Sequence, residues 1–334
     1  MKLRMTRILL ALGLVAAWVW AVYSEETHAG DFPTKPIRWI VPFPPGGSND
    51  VLARFVGAKL TERLREQIVI DNRAGANGII GAELAARAPA DGYTLLMIST
   101  SFVMNAAVRP LPYDVEKSFD PISLIGSSPN CIVVAPSAGF NSLRELVERA
   151  KAKPGSINYA STGIGGFNHF GGELFKKLAD IDLVNVPYKG GGPAMTDVMA
   201  GQVPVMFSSL TQVLPNARTG RLKLLAVGAD RRSPAVPEVP TVAEAGFPGY
   251  EVSVWWGVVA PTGAPRAVTE KLRREITALL EQPETQKRLL ADAAEPRAMR
   301  PADIRTMIRA EVGKWNAVAH RAGIRVASPV TASR

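Results

Sequence analysis

Apolar runs alternate with helix-period repeats in the first third of the chain. An apolar run at 37–43 ends in Pro-Pro-Gly-Gly, and apolar residues then recur at helical spacing from 51 to 64, after Ser48, Asn49 and Asp50 as capping and first-turn residues. The predicted elements are strands over 37–43, 68–70 and 93–98 and helices over 51–64 and 79–88. This β-α-β-α-β order favours a parallel sheet flanked by helices.

The same alternation resumes at Cys131 and continues towards the C-terminus. Strands are predicted over 131–135, 157–160, 183–187, 203–207, 222–227 and 252–259, and helices over 141–152, from Phe167, from Pro193, and over 265–281, 283–293 and 301–322. The chain therefore contains one α/β unit, then a second, then a segment that returns to the first and ends in helices. This order indicates a domain that is interrupted by another. We therefore predict an α/β protein with a discontinuous domain 1 (31–128 plus 252–334) and a domain 2 (129–251).

Three glycine-rich loops share one design, because each follows an apolar strand and opens a helix. They are Pro44 to Asn49, Ser161 to Gly166 and Tyr188 to Gly192. Glycines let backbone N–H groups approach a ligand, and a helix N-terminus adds partial positive charge, so such loops suit a carboxylate or phosphate. In open α/β sheets, ligands bind outside the carboxyl ends of strands, where these loops lie. No loop matches the phosphate-binding or dinucleotide-binding glycine pattern, so we expect no nucleotide cofactor.

Composition removes several classes of function. The 334 residues include one cysteine, Cys131, and three histidines, which argues against a disulfide framework, a Cys-rich zinc module or a His-based metal site. The net charge of +9 invites a nucleic-acid interpretation, but the basic residues are scattered and form no basic stripe. We therefore expect no nucleic-acid partner, no metal and no cofactor.

The N-terminus has the pattern of an export signal. Three basic residues precede a mostly apolar stretch from Ile8 to Ser24, and cleavage after Ser24 or after Ala29 is plausible. The alternative is an uncleaved membrane anchor, although the apolar run is short for a bilayer span. Removing residues 1–29 takes away three basic and two acidic residues and lowers the net charge from +9 to +8. We predict a signal peptide over 1–29 and a periplasmic protein.

No catalytic constellation is evident in the sequence. There is no G-x-S-x-G nucleophile motif, and His169, just beyond the second loop, either faces the cleft as a hydrogen-bond donor or packs locally. Without a nucleophile–base pair, we expect no enzyme activity.

A series of motifs resembles the Bug-type substrate-binding proteins, the extracytoplasmic receptors of tripartite tricarboxylate transporters. In chain order they are Pro36-Ile37-Arg38, Val41-Pro42-Phe43, Gly46-Gly47-Ser48, Asp50, Ala53-Arg54, Asp71 to Gly78, Asp91 to Leu95, Lys153-Pro154-Gly155, Tyr159-Ala160-Ser161, His169, Val186 to Gly190, Gly201-Gln202-Val203, Pro240 to Gly246, and Glu311 with Lys314-Trp315. The resemblance extends from about Phe32 to about Val326. It implies a two-domain periplasmic binding protein of the type II-like, Venus-flytrap kind, with a small carboxylate bound between two α/β domains.

The resemblance also implies which residues contact the ligand. In domain 1 these are Phe43, Gly46, Gly47 and Ser48, joined by Ser101 and Asn105; in domain 2 they are Ser161, Thr162, Gly163, Gly166, His169, Tyr188 and Ser208. Two positions depart from the family pattern, because Ile164 and Ser208-Ser209 stand where many members carry polar or acidic residues. These departures favour a less polar, aromatic carboxylate over an acidic amino acid.

The implied mechanism is closure of the two domains about a hinge near 126–130 and 250–253, after which the monomeric receptor docks on a membrane permease. Two alternatives stay open at this point. The same fold serves as a ligand-sensing subunit for a two-component kinase, and an exported enzyme would require turnover dependent on His169 or another cleft residue.

Overall fold

A computed structural model of the chain describes residues 32–324, and ten strands in that range form one mixed sheet. The strands are β1 (Ile37–Val41), β2 (Ile68–Asn72), β3 (Thr94–Ser99), β4 (Phe119–Val134), β5 (Asn158–Ser161), β6 (Val184–Pro187), β7 (Val205–Ser209), β8 (Lys223–Gly228), β9 (Ser253–Pro261) and β10 (Glu295–Pro296). All ten strands belong to the compact unit from Lys35 onwards. The predicted signal peptide lies outside the described residues.

Ten α-helices connect and flank these strands within the described range. They are α1 (Ser48–Leu64), α2 (Ile79–Ala86), α3 (Thr100–Val108), α4 (Leu143–Ala152), α5 (Phe167–Ala179), α6 (Gly191–Met199), α7 (Leu210–Arg218), α8 (Arg266–Leu280), α9 (Pro283–Ala291) and α10 (Pro301–Ala322). In the described part of the chain, no helix has both the length and the hydropathy needed to span a bilayer.

The sheet consists of two parallel groups joined by one long strand. Its order is β2-β1-β3-β9-β4-β7-β5-β6, with β8 and β10 also paired to β4. β1 runs parallel to β2 and β3, and β5 runs parallel to β6 and β7. We call the part built on β1, β2, β3 and β9 the first lobe, and the part built on β5 to β8 the second lobe.

β4 passes from one lobe to the other near Asn130. Up to Pro129 it pairs with β9, and from Asn130 to Val134 it pairs with β7 and β8. The Asn130 amide donates to the carbonyl oxygen of Val252 at 2.8 Å, and the Tyr250 hydroxyl donates to Asn130 Oδ1 at 2.8 Å. Tyr250 and Val252 lie in the segment that leads from β8 of the second lobe to β9 of the first. The two places where the chain passes between the lobes are therefore hydrogen-bonded to each other.

The last helix contacts both lobes. α10 packs on α3 of the first lobe, and its buried Trp315 ring meets Phe170 of α5 edge-on, with 5.4 Å between ring centroids. Trp315 Nε1 donates to Glu311 Oε2 at 2.7 Å, which fixes the indole orientation.

The predicted strand–helix alternation is confirmed, with four differences. The sequence pattern predicts no helix for α3 or α7 and no strand for β10, and it places the start of β4 at Cys131 instead of Phe119. α3 and α7 each begin at the residue after a strand ends, so no loop separates the two periodicities. α7 also contains Pro215, and β4 carries Pro121, Gly126 and two register shifts, all of which weaken a strand or helix pattern.

Candidate ligand-binding site

Five helix N-termini converge on one cavity. α1, α3, α5, α6 and α7 begin just beyond the carboxyl ends of β1, β3, β5, β6 and β7. The cavity between them is lined by Phe43, Gly47, Ser48, Asn49, Ser99, Ser101, Thr162, Phe167, Asn168, Gly191, Ser209, Gln212 and Val254. The cavity volume that the centre of a water molecule can reach is about 30 Å³, which is enough for two or three waters. A solute of dicarboxylate size is larger than this space.

The cavity is polar but contains no ionisable side chain among these lining residues. Four buried polar atoms on its walls have no hydrogen-bond partner in the protein: Asn49 Oδ1, Asn168 Nδ2, Ser209 Oγ and Gln212 Nε2. Buried polar groups are normally paired, and each unpaired one costs about 1–3 kcal/mol. Three of the four, Asn168 Nδ2, Ser209 Oγ and Gln212 Nε2, can donate a hydrogen bond, and together with the positive ends of five helices they suit a small polar anion.

The first loop is held in shape by Asp50, which is almost fully buried in the first turn of α1. The Gly46 amide donates to Asp50 Oδ2 at 3.0 Å, Asn72 Nδ2 donates to Oδ1 at 3.0 Å, and Arg54 forms an ion pair with the same carboxylate. Burial alone would raise the pKa of Asp50, but the hydrogen bonds from Arg54, Gly46 and Asn72 outweigh it and lower that pKa below its usual value. Gly46 has φ +82°, which suits glycine in this turn.

The second loop is held by two side chains of its own lobe. The Gly165 amide donates to His169 Nδ1 at 3.3 Å, and the Gly163 amide donates to Ser161 Oγ at 3.3 Å. Burial lowers the pKa of His169, so the imidazole is neutral, with Nδ1 as the acceptor and the proton on Nε2. His169 therefore bonds locally, one of the two placements that the sequence allowed.

The third loop packs directly against the first. A Cβ on Gly190 would overlap Pro44 Cδ, and a Cβ on Gly192 would lie 2.6 Å from the Pro45 carbonyl oxygen. Below this contact, the Tyr188 hydroxyl donates to Asp197 Oδ2 at 2.7 Å, and burial together with this bond raises the pKa of Tyr188 to about 12. The lobes are thus in contact around the cavity, and the glycines make that contact possible.

The structure brings five of the predicted ligand contacts to the cavity wall: Phe43, Gly47, Ser48, Ser101 and Thr162. The others lie in neighbouring positions and do not line it: Gly46, Asn105, Ser161, Gly163, Gly166, His169, Tyr188 and Ser208. Asn105 pairs with Asn77 through two hydrogen bonds of 3.0 Å, and Gly166 packs against the Asn77 side chain. Their binding roles stay predictions.

The four residues with unpaired polar atoms are not among the predicted ligand contacts. The sequence pattern makes Asn49 a helix-capping residue, and Asn168 and Ser209 each adjoin a predicted contact. Alternation along a strand places neighbours on opposite faces, so choosing between Ser208 and Ser209 requires the exact end of β7. Gln212 lies in α7, a helix that the pattern did not reveal.

Two other features carry less chemistry. An open groove of about 720 Å³ beside the lobe crossing is larger than the cavity, but none of its lining residues has a buried polar atom without a partner. Cys131 is fully buried, and burial raises the pKa of its thiol. Within residues 32–324, no cluster of three or more His, Cys, Asp or Glu side chains is arranged to hold a metal ion.

Comparisons with known proteins agree with this arrangement. A family model described as "Tripartite tricarboxylate transporter family receptor" matches residues 52–324. Among solved structures, a Rhodopseudomonas palustris protein with adipate is 34% identical, covers 88% of this chain and 99% of its own, and has a TM-score of 0.86. The periplasmic binding protein BugD is 32% identical over 88% of this chain and 99% of its own, with a TM-score of 0.85.

A third structure, from Rhodopseudomonas palustris with bound malate, is 30% identical over 86% of this chain and 99% of its own, with a TM-score of 0.81. These structural matches confirm the predicted fold, an α/β periplasmic binding protein with two domains.

Proposed function

The chain belongs to the tripartite tricarboxylate transporter receptor family, and from that premise we propose that it is an extracytoplasmic receptor that binds a small carboxylate and delivers it to a membrane permease of that transporter class. The family consists of receptors, and the similar BugD is a periplasmic binding protein. Binding, not turnover, is therefore the activity proposed for the cavity, and the periplasm its place.

One observation carries the choice of a carboxylate. Three unpartnered hydrogen-bond donors, Asn168 Nδ2, Ser209 Oγ and Gln212 Nε2, and five helix N-termini belong to the wall of one buried cavity whose lining residues include no ionisable side chain. A carboxylate supplies acceptors for Asn168 Nδ2, Gln212 Nε2 and the Ser209 hydroxyl, and its charge suits the positive helix ends. Adipate and malate in the two Rhodopseudomonas palustris structures support this class of ligand.

The domain limits and the hinge belong to the same proposal. We propose that residues 31–128 with 252–334 move against residues 129–251, about the segments 126–130 and 250–253. The hydrogen bonds of Asn130 to Val252 and Tyr250 lie at these segments, and the glycine contacts between the first and third loops lie at the cavity. A ligand that contacts both lobes would then shift the population to the closed form.

Calorimetric titration with a panel of mono-, di- and tricarboxylates tests the ligand class. We expect at least one carboxylate to bind and to raise the melting temperature. Gln212→Glu should weaken that binding at least tenfold, because it places a second negative charge beside the ligand. The exposed Gln202→Glu, in the same lobe, is the matched control and should leave affinity unchanged. Binding only by another class of solute, or tighter carboxylate binding by Gln212→Glu, would overturn the assignment.

Delivery needs a separate measurement. Uptake of the identified carboxylate into membrane vesicles that contain a partner permease should depend on added receptor. The Gln212→Glu variant should support less uptake at the same concentration. Tight binding without any receptor-dependent uptake would contradict delivery and leave the sensor role as the better account.

A further inference from the structure

A second cavity lies behind the wall of the ligand cavity in the first lobe. It is small, because the volume that the centre of a water molecule can reach is about 10 Å³. Phe43 and Ser99 line both cavities. The rest of its wall is largely apolar and includes Ala82, Leu96 and Phe102, and its other polar members are Asn77, Asn105 and Tyr113.

Phe43 belongs to the wall of both cavities, and its ring is buried. The side chain is 7% exposed, and its tip packs over Gly78, where an added Cβ would lie 3.2 Å from Phe43 Cζ. Because Phe43 lines both cavities and its ring tip lies at the second, a shorter side chain here would leave room between the two spaces.

The second cavity also has a polar end. Tyr113 lines it, is about nine-tenths buried, and has a hydroxyl without a hydrogen-bond partner in the protein. Its ring stacks on Phe102, with 5.6 Å between centroids and 9° between planes, so the hydroxyl is held in place. A buried unpaired hydroxyl beside apolar walls is the environment that a ligand with a hydrocarbon body and a distal polar group would satisfy.

We propose that Phe43 is a specificity-determining residue that limits the length of the bound carboxylate, by closing the ligand cavity off from an apolar subsite that ends at Tyr113. This inference rests on the proposed function. The carboxylate would stay at the helix N-termini, and the hydrocarbon part of a longer or aromatic acid would enter the subsite when the ring is removed.

The test compares wild type, Phe43→Leu and Phe43→Ala across linear dicarboxylates from C4 to C8 and against benzoate, by calorimetry. Each buried methylene contributes about fourfold in affinity, so Phe43→Ala should shift the preference for the longest over the shortest acid by roughly tenfold or more. Phe43→Leu should give a smaller shift in the same direction. Phe140→Leu, a buried aromatic of the second lobe, is the control and should leave the preference unchanged. A uniform loss across the series, or no change, would overturn the proposal.

The polar end has its own readout. In the Phe43→Ala background, 4-hydroxybenzoate should bind better than benzoate, and adding Tyr113→Phe should remove that difference. If the difference persists without the Tyr113 hydroxyl, the ligand does not occupy the subsite and the proposal fails.

A xenon-pressurised crystal of Phe43→Ala separates this proposal from the proposed function, since an apolar cavity binds xenon without any carboxylate. If wild type binds no carboxylate, the proposed function is overturned, and xenon decides on the subsite. Xenon between Leu96, Phe102 and Tyr113 supports the joined space. The absence of xenon between these residues overturns the proposed subsite.

Discussion

The Arg109 guanidinium donates to the carbonyl oxygen of Ile164 at 2.6 Å, and so joins the end of α3 in the first lobe to the second glycine-rich loop in the second lobe. Nearby, the Phe167 amide donates to Ser101 Oγ at 3.2 Å, another bond between the lobes. Both bonds use backbone groups at the second loop and the start of α5. The contact between the lobes is therefore held partly by hydrogen bonds within the protein that do not involve a ligand.

Arg109→Met should weaken ligand binding severalfold, because it removes the donor to Ile164 and keeps most of the apolar stem. Arg109 is only half buried, so the loss should be smaller than the 1.5–3 kcal/mol or so typical of a charged hydrogen bond. Calorimetry gives the affinity, and small-angle scattering of the ligand-bound protein should show a larger radius of gyration. Arg87→Met, an exposed arginine of the same lobe, should change neither quantity. Unchanged affinity in Arg109→Met would show that this contact does not contribute to closure.

Gly192→Ala should prevent the first and third loops from meeting, because its Cβ would lie 2.6 Å from the Pro45 carbonyl oxygen, a backbone atom. We expect at least a tenfold loss of ligand affinity with little change in the melting temperature of the ligand-free protein, since only the closed contact is blocked. Gly313→Ala, in α10 with open space around the added methyl, should bind normally and gain up to about 1 kcal/mol of stability. Normal binding by Gly192→Ala would mean that the loops do not close on one another.

Asp50→Asn should lower the free energy of unfolding at pH 7 by about 1–3 kcal/mol, because a buried carboxylate with three kinds of donor becomes neutral. The folded pKa of Asp50 is lowered, so its contribution is present above the unfolded pKa of about 4 and is lost as pH falls below it. Urea unfolding between pH 3 and 7 should therefore show a shallower acid decline for Asp50→Asn than for wild type. Part of the decline should persist, since the pKa of Asp71 is lowered as well.

That acid dependence should be specific to buried carboxylates. Asp230→Asn, at an exposed position, should leave the pH profile of unfolding unchanged. An equal decline in wild type and Asp50→Asn would show that the loop is held by something other than this charge.

The fold could be predicted from sequence wherever a loop separates a strand from a helix. The segment from Ile37 to Leu64 shows this, because its apolar run, glycine turn and helical repeat are distinct in sequence and confirmed in the structure. α3 and α7 follow their strands without a gap, so local periodicity does not reveal them. The glycine-rich loops predict the region of the site. The sequence of these loops does not predict which polar side chains lie on the cavity wall. Gln212 is on the wall because β7 and α7 meet at Ser209, a relationship that depends on the whole sheet.

His169 should make ligand binding depend on pH. Its buried Nδ1 accepts from the Gly165 amide, and burial, partly offset by Glu173 and reinforced by Lys176 and Arg109, lowers its pKa below the usual 6.5. The neutral form is thus favoured in the folded protein, and the ordered loop loses stability as pH falls through and below about 6.5, since protonation removes the acceptor.

Between pH 8 and pH 5.5, wild-type affinity for the identified carboxylate should fall as pH is lowered, with the ligand's own titration measured and subtracted. His169→Asn offers an amide oxygen near the position of Nδ1 and cannot titrate, so its affinity should be close to that of wild type at pH 8 and nearly constant across the range. His320→Asn, at an exposed position in α10, should keep the wild-type profile. If wild-type affinity is flat, or if the His169→Asn profile still declines, another group sets the pH dependence and the Gly165 hydrogen bond does not control the loop.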